Sequence, residues 1–193
     1  MVKPTHLSGR HLIRRDATGP PDTSEILSWL KLNKYRNVSR EANYRYLRPK
    51  IIVEELLLFD GALPDDYKIH CFHGRPKLFH VMANRATQRL CGTLYRDTWQ
   101  RLAFTIQGPS RGDVPRPAKL DEMIAVAARL SAPFDYVRVD LYTDGKRVYV
   151  GELTNLPANA NLSFRPRDAD FRTGSFFATP DQDAATLYAG VTA

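Results

Sequence analysis

The sequence predicts an α+β fold whose sheets are largely antiparallel and carry flanking helices. Two hairpin signals support this prediction, because glycine turns at Gly74 and at Asp144-Gly145 each lie between runs of apolar residues. Helical patterns do not alternate regularly with strands, and neither a GxGxxG nor a GxxxxGK[ST] motif occurs. The Rossmann and P-loop folds are therefore disfavoured. A chain of 193 residues that is 43% hydrophobic suits one globular domain or a compact pair of subdomains.

The first part of the chain predicts two short strands, a helix and a longer strand. Residues 2–4 have strand character, and residues 10–15 predict a second strand after a small polar turn. A Gly-Pro-Pro break precedes a helix over residues 23–36, in which apolar side chains recur at helical spacing. These side chains are Ile26, Leu27 and Leu30. Residues 50–59 are apolar apart from two glutamates, which predicts a buried strand.

The middle of the chain predicts the first hairpin. Its strands are residues 66–72 and 76–81, which are joined at Gly74. Residues 83–95 predict a further strand, although their hydrophobic period is poor.

A connector rich in proline and glycine at residues 109–117 precedes the clearest helix of the sequence. This helix spans residues 119–131 and has one continuous apolar stripe. The second hairpin follows directly. Beyond Phe164 the sequence is polar and loop-like, with a short helical pattern near residues 182–188.

The second hairpin carries the strongest functional signal. Arg138 and Asp140 lie two residues apart on one strand, so their side chains point to the same face. Folding the hairpin back brings Glu152 of the next strand toward them, beside a loop that begins with Thr154 and Asn155. Hard oxygen ligands of this kind suit Mg²⁺ together with phosphate oxygens. The alternative is a buried ion pair with a purely structural role.

A second polar constellation lies at the N-terminus. Lys3 precedes a turn that contains Thr5, Ser8 and Gly9. Backbone N–H groups of such a turn can bind phosphate while the lysine supplies a positive charge. An ordinary hairpin turn with a neighbouring lysine is the structural alternative.

Carboxylates in two other strands are candidates for nucleotide binding. One of Glu54 and Glu55 faces the core of its predicted strand, where an arginine or a nucleotide amino or hydroxyl group would satisfy it, and Leu56 could present its backbone to a base. Asp66 and Lys68 share a face and could bind a ribose hydroxyl and a phosphate. A cross-strand ion pair is the alternative for Asp66 and Lys68.

Charge and composition narrow the class of protein. The net charge of +7 favours an anionic partner. Cys71 and Cys91 are too few for a disulfide framework, and His70 and His73 are predicted on opposite faces, which disfavours a zinc site. No Ser-His-Asp order or GxSxG elbow supports a hydrolase. Without a signal peptide or an apolar run long enough to span a membrane, the chain is expected to be cytoplasmic.

With these residues described, the chain resembles the ATP-grasp superfamily, and within it the TupA-like group linked to teichuronopeptide and polysaccharide biosynthesis. The segments that carry the resemblance are VKPTHLSG, RPKIIVEELL, DYKIHCFHGRPKLFHV, RDTW and KLDEMIAVAARLSAPFDYVRVDLY…VYVGELT. Together they extend from Val2 to about Phe176. The closing string R-x-D…E-x-T-N-x-P is its most specific part.

The resemblance implies that ATP and Mg²⁺ are the cofactors and assigns roles to individual residues. Lys3 would contact the nucleotide phosphate and base, and the turn from Thr5 to Gly9 would cover the phosphates. Glu54 and Leu56 would hold the adenine edge, and Asp66 the ribose.

For the closing hairpin, the resemblance implies that Arg138 stabilises an acyl-phosphate transition state. Asp140 and Glu152 would bind Mg²⁺. Many ATP-grasp proteins have an Asn two residues after the Glu, whereas this chain has Thr154 there and Asn155 next. The third ligand is therefore open between these two residues.

The implied activity is the joining of an amine to a carboxylate of a cell-envelope polymer or its precursor, such as an acidic glycan, and no nucleic-acid partner is expected. The implied architecture is a single ATP-grasp domain over residues 1–193 that lacks the N-terminal pre-ATP-grasp region. Residues 1–58 would hold the phosphate turn and first helix, and residues 59–193 the Mg²⁺-binding sheet and helix. The alternative is a non-catalytic nucleotide- or glycan-binding module.

Overall fold

The computed structural model describes most of the chain as two compact units, Met1–Leu57 and Leu58–Ala193. The described residues are 1–15, 19, 23–33, 35, 40–83, 91–106 and 112–190. Within these ranges, no helix is both long and apolar enough to cross a membrane.

In the residues that the structure describes, the first unit contains a two-stranded antiparallel sheet, an α-helix and a short 3₁₀ helix (Ala42–Tyr44). Strand β1 (Val2–Pro4) pairs with β2 (Ile51–Val53), and helix α1 spans Thr23–Leu30. The strand predicted over residues 10–15 is wrong, because this segment pairs with the sheet only through an isolated bridge between Leu12 and Val2.

Two further predictions for this unit need correction. The buried strand predicted over residues 50–59 is wrong beyond Val53, since its partner β1 has only three residues and Val53 itself is 76% exposed. The helix predicted to reach residue 36 ends at Leu30, and its buried residue is Trp29, whereas Leu27 of the predicted stripe is 55% exposed.

The second unit is built on a five-stranded sheet with the strand order β5-β4-β3-β7-β8, in which every neighbouring pair is antiparallel. The strands are β3 (Asp66–Phe72), β4 (Arg75–Ala83), β5 (Cys91–Tyr95), β7 (Tyr136–Thr143) and β8 (Val148–Thr154). Both predicted hairpins are therefore present. The predicted strand over residues 83–95 is present as β5, while residues 84–90 lie outside the described ranges.

The turns of both hairpins use glycine in the left-handed region. Gly74 has a φ of 75° and Gly145 a φ of 82°, which side chains other than glycine adopt at a cost. A Cβ atom at Gly74 would also lie 3.2 Å from the Cα of Ala132. The β3–β4 turn therefore requires glycine for two reasons.

One face of the sheet is covered by helix α2 (Leu120–Ser131), as the apolar stripe of residues 119–131 predicts. Its buried side chains Leu120, Met123 and Ala127 pack against inward-facing residues of the strands. These strand residues include Ile69, Cys71, Phe79, Val81, Val137, Val139 and Leu141. This face is the larger apolar core of the unit.

The opposite face is apolar only in part. Residues Leu78 and Leu94 of the sheet join a second apolar cluster formed with elements outside the five-stranded sheet. These elements are β6 (Thr105–Ile106), β9 (Phe164–Arg165), α3 (Arg167–Gly174) and α4 (Ala184–Leu187). The rest of this face carries the polar side chains described next.

Candidate functional site

A row of polar side chains crosses the second face of the sheet. Lys68 of β3 lies opposite His80 of β4 on one side and opposite Asp140 of β7 on the other. Asp140 in turn lies opposite Glu152 of β8. Directly opposed residues in antiparallel strands have their side chains on the same face and in contact distance. The register therefore places four titratable groups in one line.

A second row runs parallel to the first. His70 of β3 lies opposite Arg138 of β7, and Arg138 lies opposite Thr154 of β8. The structure thus brings together Arg138, Asp140, Glu152 and Thr154, as the spacing of the hairpin predicts.

Asp140 is the centre of this arrangement. Its side chain is 2% exposed and accepts hydrogen bonds from Arg138, at 2.6 Å from Nε to Oδ1 and at 2.7 Å from Nη2 to Oδ2. Lys68 Nζ donates to Oδ2 at 2.7 Å. A buried carboxylate is tolerated when it is paired and hydrogen-bonded in this way.

The charges on this face also act on Arg138. Burial alone would lower the pKa of the guanidinium, but the hydrogen bonds and charge of Asp140, with the charge of Glu152, raise it. Arg138 is therefore a fixed cation held against the sheet. Fixed cations of this kind stabilise negative charge that develops during a reaction.

Glu152 is exposed and is connected to the buried pair through Thr154. Arg138 Nη2 donates to Thr154 Oγ1 at 3.1 Å, and Thr154 Oγ1 donates to Glu152 Oε1 at 3.0 Å. A bulge at Gly151 allows this register, because Asp140 pairs with Glu152 while Leu141 pairs with Val150. The bulge therefore sets Glu152 directly beside Asp140.

Asp66 and Lys68 are on one face of β3, as the alternation of the strand predicts. Lys68 Nζ donates to Asp66 Oδ2 at 2.7 Å and bridges this carboxylate to Asp140. Asp66 is buried, with 4% of its surface exposed. The lysine thus links two buried carboxylates, Asp66 and Asp140. The alternative that the sequence suggests, an ion pair between Asp66 and Lys68 alone, does not include the second carboxylate.

Two histidines belong to this face although the sequence argument did not single them out as site residues. Burial, together with the positive charges of Lys68 and Arg138, lowers the pKa of His80 to about 4, while Asp140 acts in the opposite direction. Burial also lowers the pKa of His70, whose Nδ1 is 2.9 Å from the hydroxyl of Tyr136. Both imidazoles are therefore neutral near pH 7. The alternation of β3 could have indicated His70, because it puts this residue on the face of Lys68.

The first unit holds the other predicted residues. Lys3 Nζ is 2.9 Å from Glu54 Oε2, and both side chains are about one-third exposed, so Glu54 has a positive partner but does not face the core as predicted. Glu55 is exposed and Leu56 is half-buried. The backbone N–H of Thr5 is bonded to the carbonyl of Lys50 at 2.9 Å.

The predicted phosphate turn borders a cleft within the first unit. Ser8 and Gly9 line it together with Arg10, and Gly9 has a φ of 71°. The buried His6 fixes the base of the turn through a contact of 2.8 Å between Nε2 and the carbonyl of Trp29. The turn therefore presents exposed Ser8 and Gly9 beside a cation.

A family model described as TupA-like ATPgrasp matches residues 1–178. The chain belongs to the TupA-like ATP-grasp family. The resemblance seen in the sequence motifs is thereby confirmed. No protein with a curated description matched the chain, and no solved structure did.

Membership of the ATP-grasp family implies the use of ATP and Mg²⁺ and action on carboxylate substrates. The residues of the sheet fit such a metal, since the carboxylates Asp140 and Glu152 lie directly opposite each other on neighbouring strands and the hydroxyl of Thr154 contacts Glu152. In the part of the chain that is described, no group of three or more His, Cys, Asp or Glu side chains could hold a metal ion by itself. A site with two protein carboxylates is what Mg²⁺ takes when phosphates and water complete its shell.

Proposed function

We propose that this ATP-grasp protein is a Mg²⁺/ATP-dependent carboxylate–amine ligase-like enzyme of cell-envelope polymer biosynthesis. The observation that carries the proposal is the buried Asp140, bonded to Arg138 and Lys68 and placed beside Glu152 on one face of the sheet. Such a cluster of carboxylates and fixed cations, without a nucleophile, matches chemistry that depends on positioning and charge neutralisation.

The proposed reaction has two steps. A carboxylate oxygen of the acceptor, such as an acidic glycan or its precursor, attacks the γ-phosphorus of ATP, whose bond to the bridging oxygen breaks and releases ADP. The amine nitrogen then bonds to the carbonyl carbon of the acyl-phosphate while the carbon–oxygen bond to phosphate breaks. The products are an amide, inorganic phosphate and a proton.

In the second unit, Arg138 is proposed to stabilise the charge on the transferred phosphoryl group. Asp140 and Glu152, with Thr154 or Asn155, would hold Mg²⁺, which when bound neutralises phosphate oxygens. The reach of Arg138 to both Asp140 and Thr154 supports this assignment, since one guanidinium orients both oxygen ligands.

Nucleotide contacts are proposed for each unit taken by itself. In the first, Lys3 and the turn formed by Thr5, Ser8 and Gly9 would contact the phosphates, and Glu54, Glu55 and Leu56 the adenine edge. In the second, Asp66 would contact the ribose and Lys68 a phosphate. The cationic bridge that Lys68 makes between two carboxylates supports its role, because a phosphate would find the lysine already held in place.

A second candidate function is supported by the same cluster. The two oxygens of Asp140 accept three hydrogen bonds from two cations, so its charge is neutralised within the sheet. A non-catalytic module that binds a nucleotide or a glycan would need no more than this. Turnover is what separates the two functions.

The test is thermal unfolding with and without Mg²⁺ and a non-hydrolysable ATP analogue. At a hundredfold its dissociation constant, the analogue should stabilise the folded state by about 2.7 kcal/mol. The Glu152→Gln variant should lose the Mg²⁺-dependent part of the shift without losing stability, because Glu152 is exposed. The double variant Asp140→Asn with Glu152→Gln should show no ligand-induced shift at all, when its unfolding midpoint with ligand is compared with its own ligand-free midpoint.

The matched control is Asp121→Asn with Glu122→Gln, two exposed acids of α2 that pair with Arg116 and Lys119. It should keep the full shift. A wild-type protein that shows no shift, or a double variant that keeps it, would remove the proposed site. Release of ADP that depends on a carboxylate and an amine would favour the ligase over the binding module.

A further inference from the structure

A cavity of about 250 Å³ lies in the second unit beside the row that contains His70 and Arg138. His70 lines it directly, and Asn155, the residue that follows Thr154, stands on its wall. Most of the lining is aromatic or aliphatic, including Phe72, Leu156, Leu162, Phe164 and Phe177. Small-molecule sites commonly have volumes of about 300–1,000 Å³, so this cavity suits a ligand body of one ring.

The charge of the cavity wall selects among ligands. Asp170 is the one formally charged residue of this lining, and no lysine or arginine is part of it. His70 adds no charge, because burial lowers its pKa well below the usual range. A carboxylate in the cavity would meet another carboxylate and no cation.

Asp170 is a half-buried carboxylate that could bind a positively charged ligand. Its Oδ1 accepts a hydrogen bond from the backbone N–H of Phe164 at 3.1 Å, which fixes the side chain, and no cationic side chain pairs with it in the described part of the chain. A half-buried carboxylate among apolar side chains is stabilised by a positive partner.

His70, another residue of the cavity lining, has a buried nitrogen without a hydrogen-bond partner. His70 is 2% exposed, its Nδ1 contacts the hydroxyl of Tyr136, and its Nε2 is buried without a hydrogen bond. Buried polar atoms are satisfied in the great majority of cases, so an unsatisfied nitrogen on a residue of the cavity lining is an exception that a bound water or ligand would explain.

We propose that this cavity binds the amine substrate, a primary amine on an apolar body of about one aromatic ring, with its ammonium group on Asp170. The apolar walls select the body and Asp170 selects the charge. The role as a substrate site rests on the proposed ligase function, in which the amine must approach the acyl-phosphate held by Arg138. The register supports this, since His70 in the cavity wall lies directly opposite Arg138.

The experiment is a calorimetric titration without nucleotide, using 2-phenylethylamine as the probe. Two comparison probes separate the determinants, since 3-phenylpropionate keeps the ring but reverses the charge and ethanolamine keeps the amine without the ring. We expect 2-phenylethylamine to bind at least about tenfold more tightly than either.

Two variants locate the binding. Asp170→Asn keeps an acceptor for the Phe164 N–H but removes the charge, and should weaken 2-phenylethylamine binding at least about tenfold. Leu162→Trp fills the cavity with a larger side chain and should weaken it similarly. The control is Asp168→Asn, an exposed acid of the same helix that pairs with Arg172 and should leave binding unchanged.

Tighter binding of 3-phenylpropionate, no binding of 2-phenylethylamine, or unchanged binding in both cavity variants would overturn the assignment. Failure of the proposed function is distinguishable from this. Amine binding in a protein that shows no Mg²⁺-nucleotide shift would leave the amine site standing and remove the ligase. A nucleotide shift without amine binding would remove the cavity assignment alone.

Discussion

Replacing Asp140 by asparagine removes the negative charge from a carboxylate that holds two cations on the sheet. Asp140 is 2% exposed, so solvent cannot replace it as a partner. Breaking a buried ion pair by removing one member costs about 3–5 kcal/mol. The lower end of this range applies here, because both cations retain another hydrogen-bond partner. Lys68 still donates to Asp66 at 2.7 Å, and Arg138 still donates to Thr154 at 3.1 Å. We expect Asp140→Asn to lower the free energy of unfolding by about 3 kcal/mol.

The assay is denaturant unfolding followed by tryptophan fluorescence in a Trp29→Phe background. This leaves Trp99, which stacks on Tyr95 with ring centroids 4.4 Å apart, as a reporter of the second unit. The control is Asp121→Asn, an exposed member of a surface ion pair, which should change stability by less than about 1 kcal/mol. A loss of less than about 1 kcal/mol for Asp140→Asn would refute the reasoning, since the pair would then contribute no more than a surface contact.

Two more predictions concern the same sheet. The pKa of His80 is about 4 in the folded state and 6.5 in its ordinary state, so the unfolded chain binds the proton first. His80 should therefore leave stability unchanged above pH 6.5 and lower it by about 1.4 kcal/mol per pH unit as pH drops toward 4, in addition to the loss from His70, whose pKa burial also lowers. The total slope should be smaller in His80→Gln, and an equal slope would contradict the assignment. Gly151→Ala places a Cβ 2.6 Å from Cε2 of Tyr142 and should cost about 1–3 kcal/mol in denaturant unfolding. Gly112→Ala, with open space around it, should change stability by less than about 1 kcal/mol, and equal costs at both glycines would argue against the close contact.

The sequence predicted the second hairpin and the clustering of Arg138, Asp140 and Glu152 on it because both depend on local rules. Strand alternation puts Arg138 and Asp140 on one face, and the Asp-Gly turn brings Glu152 back to them. Helix α2 was predicted for the same reason, since its apolar stripe has the period of a helix that covers a sheet.

Other features depend on pairing between distant segments, which a single sequence does not specify. The strand order places Lys68 between His80 and Asp140, so the lysine bridges carboxylates from different hairpins. Strand alternation identified Lys68 and Asp66 as neighbours on one face but could not indicate Asp140 as the shared partner. The same limit explains why His80 was not assigned to the site.

The failed strand predictions in the first unit have a related cause. Apolar composition predicts burial, but a strand extends only as far as a partner strand accompanies it. Because β1 has only three residues, the apolar run of residues 50–59 has no strand to pair with after Val53. Helix α3 was missed for the opposite reason, because its sequence is polar and only Ala169 and Thr173 are buried.

The C-terminal helix α4 lies beyond the segment that the family model matches, yet it belongs to the second apolar cluster. Tyr188, just past this helix, contacts Thr173 of the cavity wall at 2.5 Å between the two hydroxyl oxygens. Residues outside the segment that the family model matches therefore support one wall of the cavity. Substitutions after residue 178 can therefore reshape the space for a ligand while Arg138, Asp140 and their strands stay unchanged. Divergence of specificity within such a family could proceed through this peripheral segment, and an expression fragment cut at the family boundary would lose that support.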